Sequence, residues 1–259
     1  MSHRLNSFPA SSAALVQGAS RGIGLGLVRA LLDQNRFDRV IATCRNPAGS
    51  DELQALAGRR LELHALDVTR PEQVAALAEA LQADGVELNL LLNVAGVLHG
   101  QSGGGDFDPE KKLEDIELAA LEKVFAVNTF GPALVLRYFR PLLARDGKAV
   151  VAAVSARVGS IGDNRMGGWY AYRASKAALN QLLKTASIEF RRRNKNVIVA
   201  ALHPGTTDTG LSEPFQANVP AEKLFSVDQT CGYLLDVIEQ LETGQSGGFY
   251  AWDGQAIEW

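Results

Sequence analysis

The sequence predicts an α/β fold in which a doubly wound parallel sheet of about seven strands carries helices on both faces. Short apolar segments rich in β-forming residues alternate with longer segments of helical period along the 259 residues, and this alternation is typical of such a sheet. Two apolar segments, Leu88–Asn93 and Lys148–Ser155, are nearly continuous, as central strands buried on both faces are. The length fits one domain over residues 1–259, with residues 1–12 as a loose N-terminal extension.

Each element follows from its own apolar pattern. The predicted strands are Ala13–Gly18, Arg39–Thr43, Leu61–Leu66, Leu88–Asn93, Lys148–Ser155, Val197–Leu202 and Phe249–Trp252. The predicted helices are Ile23–Gln34, Pro71–Ala83, Leu113–Leu143, Tyr170–Arg192 and Val227–Leu241. Two segments that follow strands, Gly100–Pro109 and Pro204–Pro220, are rich in glycine or proline. Because ligands bind outside the carboxyl ends of the strands in this class of fold, we expect both segments to form walls or lids of a substrate site.

The composition excludes several classes of protein. Lysine plus arginine number 26 and aspartate plus glutamate 29, a net charge of −3, which gives no electrostatic basis for binding nucleic acid. Cys44 and Cys231 are far apart and lie near no histidine or cysteine cluster in the sequence, so neither a disulfide framework nor a metal site is predicted. The sequence has no run of about 18 apolar residues and no signal segment. We therefore expect a cytoplasmic protein that binds no membrane.

A glycine-rich turn follows the first predicted strand directly and opens a helix. Its residues are Gly18, Ala19, Ser20, Arg21, Gly22, Ile23 and Gly24. Glycines here let the backbone approach a pyrophosphate, which the free N–H groups of the helix can bind, and this is the Rossmann type of dinucleotide site. A P-loop requires Gly-Lys-Ser/Thr, and Ile23 after Gly22 excludes it. The alternative is a turn with a purely structural role.

The end of the second predicted strand indicates which dinucleotide binds. An NAD-binding site normally has an acidic residue there, which binds the adenosine ribose. This chain has Cys44 and Arg45 instead, and the next acid is Asp51. Arg21 and Arg45 offer two guanidinium groups suited to a 2′-phosphate. The sequence therefore predicts NADP(H), unless the two arginines are only solvated surface charges.

A tyrosine and a lysine share one face of a predicted helix. Tyr172 and Lys176 are four residues apart near its start, a spacing that places their side chains together. A nearby cation favours the ionised form of a phenol, so we expect Lys176 to lower the pKa of Tyr172 from its reference value of about 10. The phenol would then be a usable proton donor. A solvated surface pair is the alternative, since the spacing alone is common.

Together these features resemble the short-chain dehydrogenase/reductase family. The motifs occur in the family's order and at nearly its spacing, and they cover almost the whole chain: Gly18–Gly24, Asp67-Val68, Asn93–Gly96, Asn128, Tyr172 with Lys176, and Pro204-Gly205. Three segments look like its C-factor-like carbonyl reductase subgroup: Thr43–Pro47, Tyr170–Asn180 and Asp253-Gly254.

The resemblance implies a role for each matching residue. Lys176 would hold the nicotinamide ribose, Tyr172 would protonate a substrate carbonyl, and Asn128 would anchor a water of the proton relay. The implied catalytic residues are Tyr172, Lys176, Asn128 and Ser155. The implied cofactor-binding residues are Gly18, Ser20, Arg21, Gly22, Ile23, Gly24, Arg45, Asp67, Val68, Asn93, Ala95, Gly96, Tyr172, Lys176, Pro204, Gly205, Thr207 and Thr209. Asn128 could instead face solvent, and Asn93 could be a hydrogen-bonded strand-end amide without further role.

One position departs from the family's pattern. The family usually has two serines after the fifth strand, the second of which binds the substrate oxygen, and here that second position is Ala156. Ser155 is one residue early, and neighbouring strand side chains face opposite ways. Ser155 presented by a local bulge, Ser160, or no hydroxyl at all could fill the role, in that order. Loss of such a donor costs on the order of 10²–10³ in rate.

The resulting expectation is an NADP(H)-dependent oxidoreductase that transfers hydride between NADPH and an aldehyde, ketone or quinone. A regulatory or signalling protein that binds NADP(H) with little turnover is an alternative from another class. Dehydration or epimerisation on the same fold is a third. We expect a small carbonyl or alcohol substrate and a homodimer or homotetramer in which the long predicted helices Leu113–Leu143 and Tyr170–Arg192 pack between copies.

Overall fold

A parallel sheet forms the centre of the computed structural model, which describes residues 5–103 and 105–259. The strands within these residues are β1 (Ser12–Gln17), β2 (Phe37–Cys44), β3 (Leu61–Ala65), β4 (Leu88–Asn93), β5 (Gly100–Ser102), β6 (Gly105–Phe107), β7 (Ala149–Val154), β8 (Val197–His203), β9 (Thr206–Thr207), β10 (Leu224–Phe225) and β11 (Gly248–Ala251). In this described part of the chain, seven strands form the parallel sheet, in the order β11-β8-β7-β4-β1-β2-β3. Strands β5 and β9 pair with β6 and β10. The predicted fold class and the seven predicted strands are confirmed.

Helices cover both faces of this sheet. They are α1 (Gly22–Leu32), α2 (Asp51–Gln54), α3 (Pro71–Ala83), α4 (Leu118–Phe125), α5 (Gly131–Phe139), α6 (Tyr170–Arg193) and α7 (Val227–Gln240). Successive side chains of a strand point to opposite faces. In β1, Leu15 therefore joins the apolar core under α3, α5 and α6, whereas Val16 joins the core under α1 and α7. The burial of both faces explains why the central strands are apolar throughout.

The prediction of one continuous helix over Leu113–Leu143 is wrong. Short 3₁₀ turns form its two ends, and a π-helical turn, Ala126–Phe130, separates α4 from α5. The cause is Pro132, which has no N–H to donate to the carbonyl of Asn128 four residues earlier and whose ring crowds that carbonyl in a regular helix. The helical path is therefore irregular at Asn128.

The segment before β1 packs on the domain. The sequence predicts a loose extension over residues 1–12, but the side chains of Leu5 and Phe8 are only 1% and 2% exposed. The ring of Phe8 lies 5.4 Å from the ring of Phe37, centroid to centroid. The prediction is wrong for the described part of this segment, and its first four residues lie outside the described chain.

Among the described residues, one helical stretch, Leu118–Leu142, is long and apolar enough to cross a membrane, judged by length and composition alone. In the fold this stretch consists of α4, the π-helical turn, α5 and the 3₁₀ turn Arg140–Leu142. Its residues Val124, Val135 and Phe139 are buried. Packing in the core accounts for the apolar character of these buried residues, whereas Leu118 and Phe130 of the same stretch are exposed.

Candidate active site

The residues predicted to bind a dinucleotide gather at the carboxyl ends of the parallel strands. Each group follows a different strand: the glycine-rich turn follows β1, Arg45 follows β2, Asp67 and Val68 follow β3, Asn93 to Gly96 end β4, and Pro204 to Thr209 follow β8. Because the strands are parallel, all of these loops emerge on the same edge of the sheet. The sheet therefore brings together residues that lie far apart in the sequence.

The glycine-rich turn is shaped by backbone contacts that a side chain would prevent. Gly18 has a φ of +89°, and a Cβ there would lie 2.5 Å from the amide nitrogen of Ala95. A Cβ at Gly24 would lie only 2.0 Å from the carbonyl oxygen of Gly18. The N-terminus of α1, with its free N–H groups, therefore opens directly at the surface of a tight turn, which is the arrangement that binds phosphate groups.

Neighbouring strands hold this turn in place. The amides of Gly18 and Ala19 both donate to the carbonyl of Thr43 at the end of β2, at 2.9 and 3.0 Å. On the other side, Gln17 accepts a hydrogen bond from the amide of Ala95 through its side-chain Oε1, at 3.3 Å. Asn93 is buried, and neither polar atom of its amide has a hydrogen-bond partner among the described residues. Among the described residues, Asn93 is therefore not the hydrogen-bonded strand-end amide that the sequence left open as an alternative.

The side of the turn that faces β2 and β3 carries positive charge. Arg21 and Arg45 are both exposed. Burial by itself would raise the pKa of Asp67, but two hydrogen bonds from Thr69 and the charges of Arg45 and Lys123 outweigh it and lower that pKa. Asp67 is therefore a carboxylate fixed by its own loop. The acid typical of an NAD site at the end of β2 is absent from the sequence, where Cys44 and Arg45 stand instead.

Tyr172 and Lys176 lie in the first two turns of α6 and are both buried. Lys176 Nζ donates to the carbonyl of Val154 at the end of β7, at 2.8 Å, and lies 5.7 Å from the centre of the Tyr172 ring. Burial lowers the pKa of Lys176 to about 8 and raises the pKa of Tyr172 above its usual value. The prediction that Lys176 lowers the pKa of Tyr172 is wrong for this state, because desolvation of the phenolate dominates. The phenol therefore keeps its proton at neutral pH.

Asn128 sits in the π-helical turn and is fully buried, so it does not face solvent. Its Oδ1 accepts from the amide of Val97 at 2.8 Å, and its Nδ2 donates to the carbonyl of Val97 and to Ser175 Oγ. A Cβ at Gly96 would lie 3.6 Å from Asn128 Oδ1 and 3.7 Å from Lys176 Nζ. Gly96, Asn128 and Lys176 therefore meet at one point, with the loop after β4 tied to α6.

The segment after β7 contains the two serines considered for the substrate oxygen. Ser155 is buried and its Oγ donates to Asn180 Oδ1 of α6 at 2.7 Å. Ser160 is also buried, and its Oγ accepts from the amide of Asp163 at 3.1 Å. Ala156 is only half-buried. Both hydroxyls thus have partners, and the role of Ser155 stays a prediction.

The loop after β8 lies between the glycine-rich turn and α7. Gly205 has a φ of +75°, and a Cβ there would lie 2.6 Å from the ring of Phe225. Thr207 is buried and shares a 2.8 Å hydrogen bond with Thr230 of α7 through the two hydroxyl oxygens. Thr209 reaches the glycine-rich turn, since its Cγ2 would lie 3.2 Å from a Cβ at Gly22. The loops after β1 and β8 therefore lie next to each other at Gly22 and Thr209.

Aromatic rings flank Tyr172. The ring of Trp169 lies 6.2 Å from that of Tyr172 and 5.0 Å from that of Phe215. Phe215 in turn lies 5.8 Å from His99. These rings connect Phe215, in the predicted wall segment Pro204–Pro220, with the start of α6 and with His99, which directly precedes the other predicted wall segment. Phe225 packs on Tyr233 and Trp252.

Glu110 is the residue at this site that sequence reasoning missed. It is 4% exposed, and its carboxylate Oε2 accepts from the amide of Ala171 at 3.1 Å. The available signal was indirect: Gly167, Gly168 and Trp169, which precede α6, provide no usual capping residue. A long helix without its own cap needs one from elsewhere in the chain.

Across residues 5–103 and 105–259, no group of three or more histidine, cysteine, aspartate or glutamate side chains is arranged to hold a metal ion. Cys44 and Cys231 are both buried free thiols. The pKa of each thiol is raised, mainly by burial.

Comparison with known proteins agrees with this site. The family model described as short chain dehydrogenase matches residues 12–220. A 1-hydroxy-2-glutathionyl-2-methyl-3-butene dehydrogenase from a Rhodococcus species is 35% identical over 96% of this chain and 100% of its own length. The C-signal protein of Myxococcus xanthus is 35% identical over 57% of this chain and 83% of its own length.

Solved structures give the same result. The crystal structure of an NADPH-bound carbonyl reductase from chicken fatty liver superposes with a TM-score of 0.84 and is 33% identical, covering 97% of this chain and 100% of that one. The family match spans the glycine-rich turn, the Tyr172 and Lys176 pair and the loop after β8. By fold, by motif and by similarity over nearly its whole length, the chain belongs to the short chain dehydrogenase family.

Proposed function

We propose that this protein is an NADP(H)-dependent carbonyl reductase that acts on an aldehyde, ketone or quinone, with Tyr172 as the proton donor. The observation that carries the proposal is a buried, protonated phenol one helical turn from a buried ammonium group. Lys176 Nζ also lies near Gly96, at the edge of the sheet where the proposed dinucleotide-binding loops gather. The chicken carbonyl reductase, which contains NADPH, and the Rhodococcus dehydrogenase support this choice of reaction.

The residues present fit the cofactor. The backbone cradle around Gly18 and Gly24 has no room for side chains, and Arg21 and Arg45 can bind a 2′-phosphate. The proposed contacts to the ribose and adenine parts come from Asp67, Val68, Asn93, Ala95, Gly96, Tyr172 and Lys176, with Pro204, Gly205, Thr207 and Thr209 at the carboxamide. When bound there, NADPH supplies the hydride that reduces the substrate carbon.

The chain's own residues supply the proton. Tyr172 donates its phenolic proton to the carbonyl oxygen as the carbon accepts hydride, so that the C=O double bond becomes a C–O single bond with one new C–H and one new O–H bond. The phenolate left on Tyr172 is stabilised by Lys176, whose ammonium group is charged below about pH 8. Asn128, fixed by Val97 and Ser175, would anchor a water through which the phenolate regains a proton.

The role of the two arginines can be tested through cofactor preference. We expect Arg45→Glu to lower the ratio of kcat/KM with NADPH to kcat/KM with NADH by about 100-fold, because a charge-assisted partner of the 2′-phosphate is replaced by a like charge. The ratio is measured by steady-state oxidation of each cofactor. Arg191→Glu makes the same charge change at the far end of α6 and should leave the ratio unchanged. An unchanged ratio in Arg45→Glu would show that Arg45 does not bind the phosphate.

The serine question can be tested by two matched truncations. If the hydroxyl of Ser155 leaves Asn180 Oδ1 and donates to the developing oxyanion in the substrate complex, Ser155→Ala should lower kcat by about 10²-fold. Ser160→Ala should retain nearly wild-type kcat. The kcat of each variant is measured from the product formed at fixed times with one saturating ketone substrate. Wild-type kcat in both variants would mean that neither hydroxyl is catalytic. Ala156→Ser would then test whether position 156 faces the substrate.

A signalling protein that binds NADP(H) with little turnover is the second candidate. Two observations favour it: the similarity to the Myxococcus C-signal protein and alanine at position 156. NADPH oxidation against a broad panel of aldehydes, ketones, diketones and quinones separates the two functions. Turnover that Tyr172→Phe abolishes supports the reductase. Tight NADPH binding without turnover of any panel member supports the signalling protein.

The remaining parts of the proposal concern assembly and location. Members of this family commonly form oligomers, and we propose a homodimer or homotetramer that acts on a small molecule in the cytoplasm. Light scattering of the purified protein at low micromolar concentration tests the assembly directly.

A further inference from the structure

The helix that carries Tyr172 lacks a cap of its own. Trp169, the residue before α6, adopts left-handed φ and ψ values of 53° and 46°, and within the described contacts its side chain caps no helix N–H group. The first turn of α6 also contains no acidic residue. A helix of 24 residues has free N–H groups at this end, and these need hydrogen-bond acceptors.

Glu110 supplies these partners from 61 residues earlier in the chain. Its main-chain carbonyl accepts from the amide of Trp169 at 2.5 Å, and its carboxylate accepts from the amide of Ala171 at 3.1 Å. A Cβ at Gly168 would lie 3.4 Å from the same carbonyl oxygen, so the two backbones run in close contact. Glu110 thus holds both Trp169, through its main chain, and the first turn of α6, through its side chain.

The position of this cap singles out Tyr172. Tyr172 is the third residue of α6 and follows Ala171 directly, so it belongs to the turn that frays first when a cap is lost. Lys176 lies one turn further along, where helical hydrogen bonds are complete, and it is also held by the carbonyl of Val154. Loss of Glu110 should therefore disturb the phenol much more than the ammonium group.

We propose that Glu110 is a positioning residue, which holds the phenol of Tyr172 in its reactive place by capping the first turn of α6. The inference rests on the proposed function of Tyr172 as proton donor. The requirement is for a hydrogen-bond acceptor at this point. Glutamine, which keeps a side-chain oxygen of the same reach, should therefore replace Glu110 with little loss, whereas alanine should not.

Hydrogen exchange tests the structural half of the inference without any substrate. In Glu110→Ala, the amide of Ala171 loses its carboxylate acceptor and should exchange about tenfold faster than in the wild-type protein, as expected for the loss of one helix cap. The amide of Trp169 keeps its acceptor, because the main-chain carbonyl of residue 110 is unchanged. Glu110→Gln should exchange at nearly the wild-type rate. The matched control is Ser226→Ala, which removes the hydroxyl that accepts from the amide of Gln229 at the start of α7. It should speed exchange in α7 and leave the first turn of α6 unchanged.

Kinetics test the catalytic half. We expect Glu110→Ala to lower kcat for carbonyl reduction by about 10–100-fold, because small misplacements of a reacting group cost that much. Its Kd for NADPH, measured by fluorescence titration, should stay within about twofold of wild type because Lys176 is not displaced. Ser226→Ala should keep wild-type kcat at a similar loss of thermal stability. In a Tyr172→Phe background, Glu110→Ala should have no further effect on the residual rate.

Each contrary outcome identifies what has failed. Unchanged exchange at the amide of Ala171 in Glu110→Ala, or faster exchange there with wild-type kcat, overturns the role of Glu110. So does an equal fall in kcat with and without the Tyr172 hydroxyl, which would indicate general destabilisation. If Glu110→Ala does not fold, a kcat for Glu110→Gln as low as that of Tyr172→Phe overturns the acceptor requirement. No turnover in the wild-type protein overturns the proposed function instead, and exchange still tests the cap.

Discussion

Replacing Tyr172 with phenylalanine is expected to lower kcat for carbonyl reduction by about 10³-fold, within the range for loss of a general acid. The change removes only the hydroxyl, so the packing of the ring on Trp169 is retained. NADPH affinity should change by less than about tenfold, since the glycine-rich turn and Lys176 are unaffected. Steady-state NADPH oxidation and a fluorescence titration give the two values.

A second tyrosine provides the matched control. Tyr250 in β11 is also largely buried, and its hydroxyl donates to the carbonyl of Gln245 at 3.0 Å. Tyr250→Phe makes the same chemical change away from the cleft and should keep wild-type kcat. If Tyr172→Phe also kept wild-type kcat, Tyr172 would not be the proton donor.

Burial of the pair sets the direction of the pH dependence. The raised pKa of Tyr172 keeps the phenol protonated across neutral pH, which suits reduction. Alcohol oxidation needs the phenolate, so its rate should rise with pH over a range where reduction does not. Lys176 loses its charge as the pH rises through about 8. Reduction by the free enzyme, measured as kcat/KM, should therefore decline above that pH.

Gly24→Ala is expected to have the second largest effect, on both stability and cofactor binding. A Cβ there would lie 2.0 Å from the carbonyl oxygen of Gly18, and the backbone would have to move to relieve the clash. We expect the free energy of unfolding to fall by about 2–4 kcal/mol, near the upper range for overpacking. NADPH affinity should fall by at least about 100-fold, because the backbone N–H groups of the turn no longer converge on the phosphates. Urea denaturation and NADPH titration measure the two effects.

Gly58→Ala provides the comparison for this variant. A Cβ at Gly58 meets no atom closer than the carbonyl oxygen of Leu56, at 3.9 Å. Its stability should stay within about 0.5 kcal/mol of wild type, as is usual for surface changes, and NADPH binding should be unchanged. Wild-type NADPH affinity in Gly24→Ala would show that the cofactor does not use this turn.

Most of the fold could be predicted because its signals are local. The alternation of apolar strands with helical segments gave all seven sheet strands, and β4 and β7 were recognised as central from their apolar runs alone. The prediction of one continuous helix over Leu113–Leu143 was wrong because Pro132 fits the apolar helical period but interrupts the hydrogen bonds of a regular helix. The prediction of a loose N-terminal segment was wrong because the segment packs on Phe37, which is distant in the sequence.

The candidate site could be predicted only as far as motifs mark it. The glycine-rich turn and the Tyr172 and Lys176 pair carry recognisable spacing, and the fold gathers them as expected. Contacts between segments that are distant in the sequence have no such motif. Examples are the hydrogen bonds of Glu110 with Ala171 and of Ser155 with Asn180. The pKa of Tyr172 was misjudged because charge proximity can be read from spacing, whereas desolvation depends on the finished packing.

The contact between the glycine-rich turn and Thr209 has a consequence for protein synthesis. Gly18 and Gly22 leave the ribosome early, but their partners Ala95 and Thr209 follow much later. A nascent chain cannot offer a complete dinucleotide site until β8 and its loop have emerged and paired. Because a ligand stabilises only the state that binds it, cellular NADPH would protect finished chains from degradation and leave truncated ones to proteases.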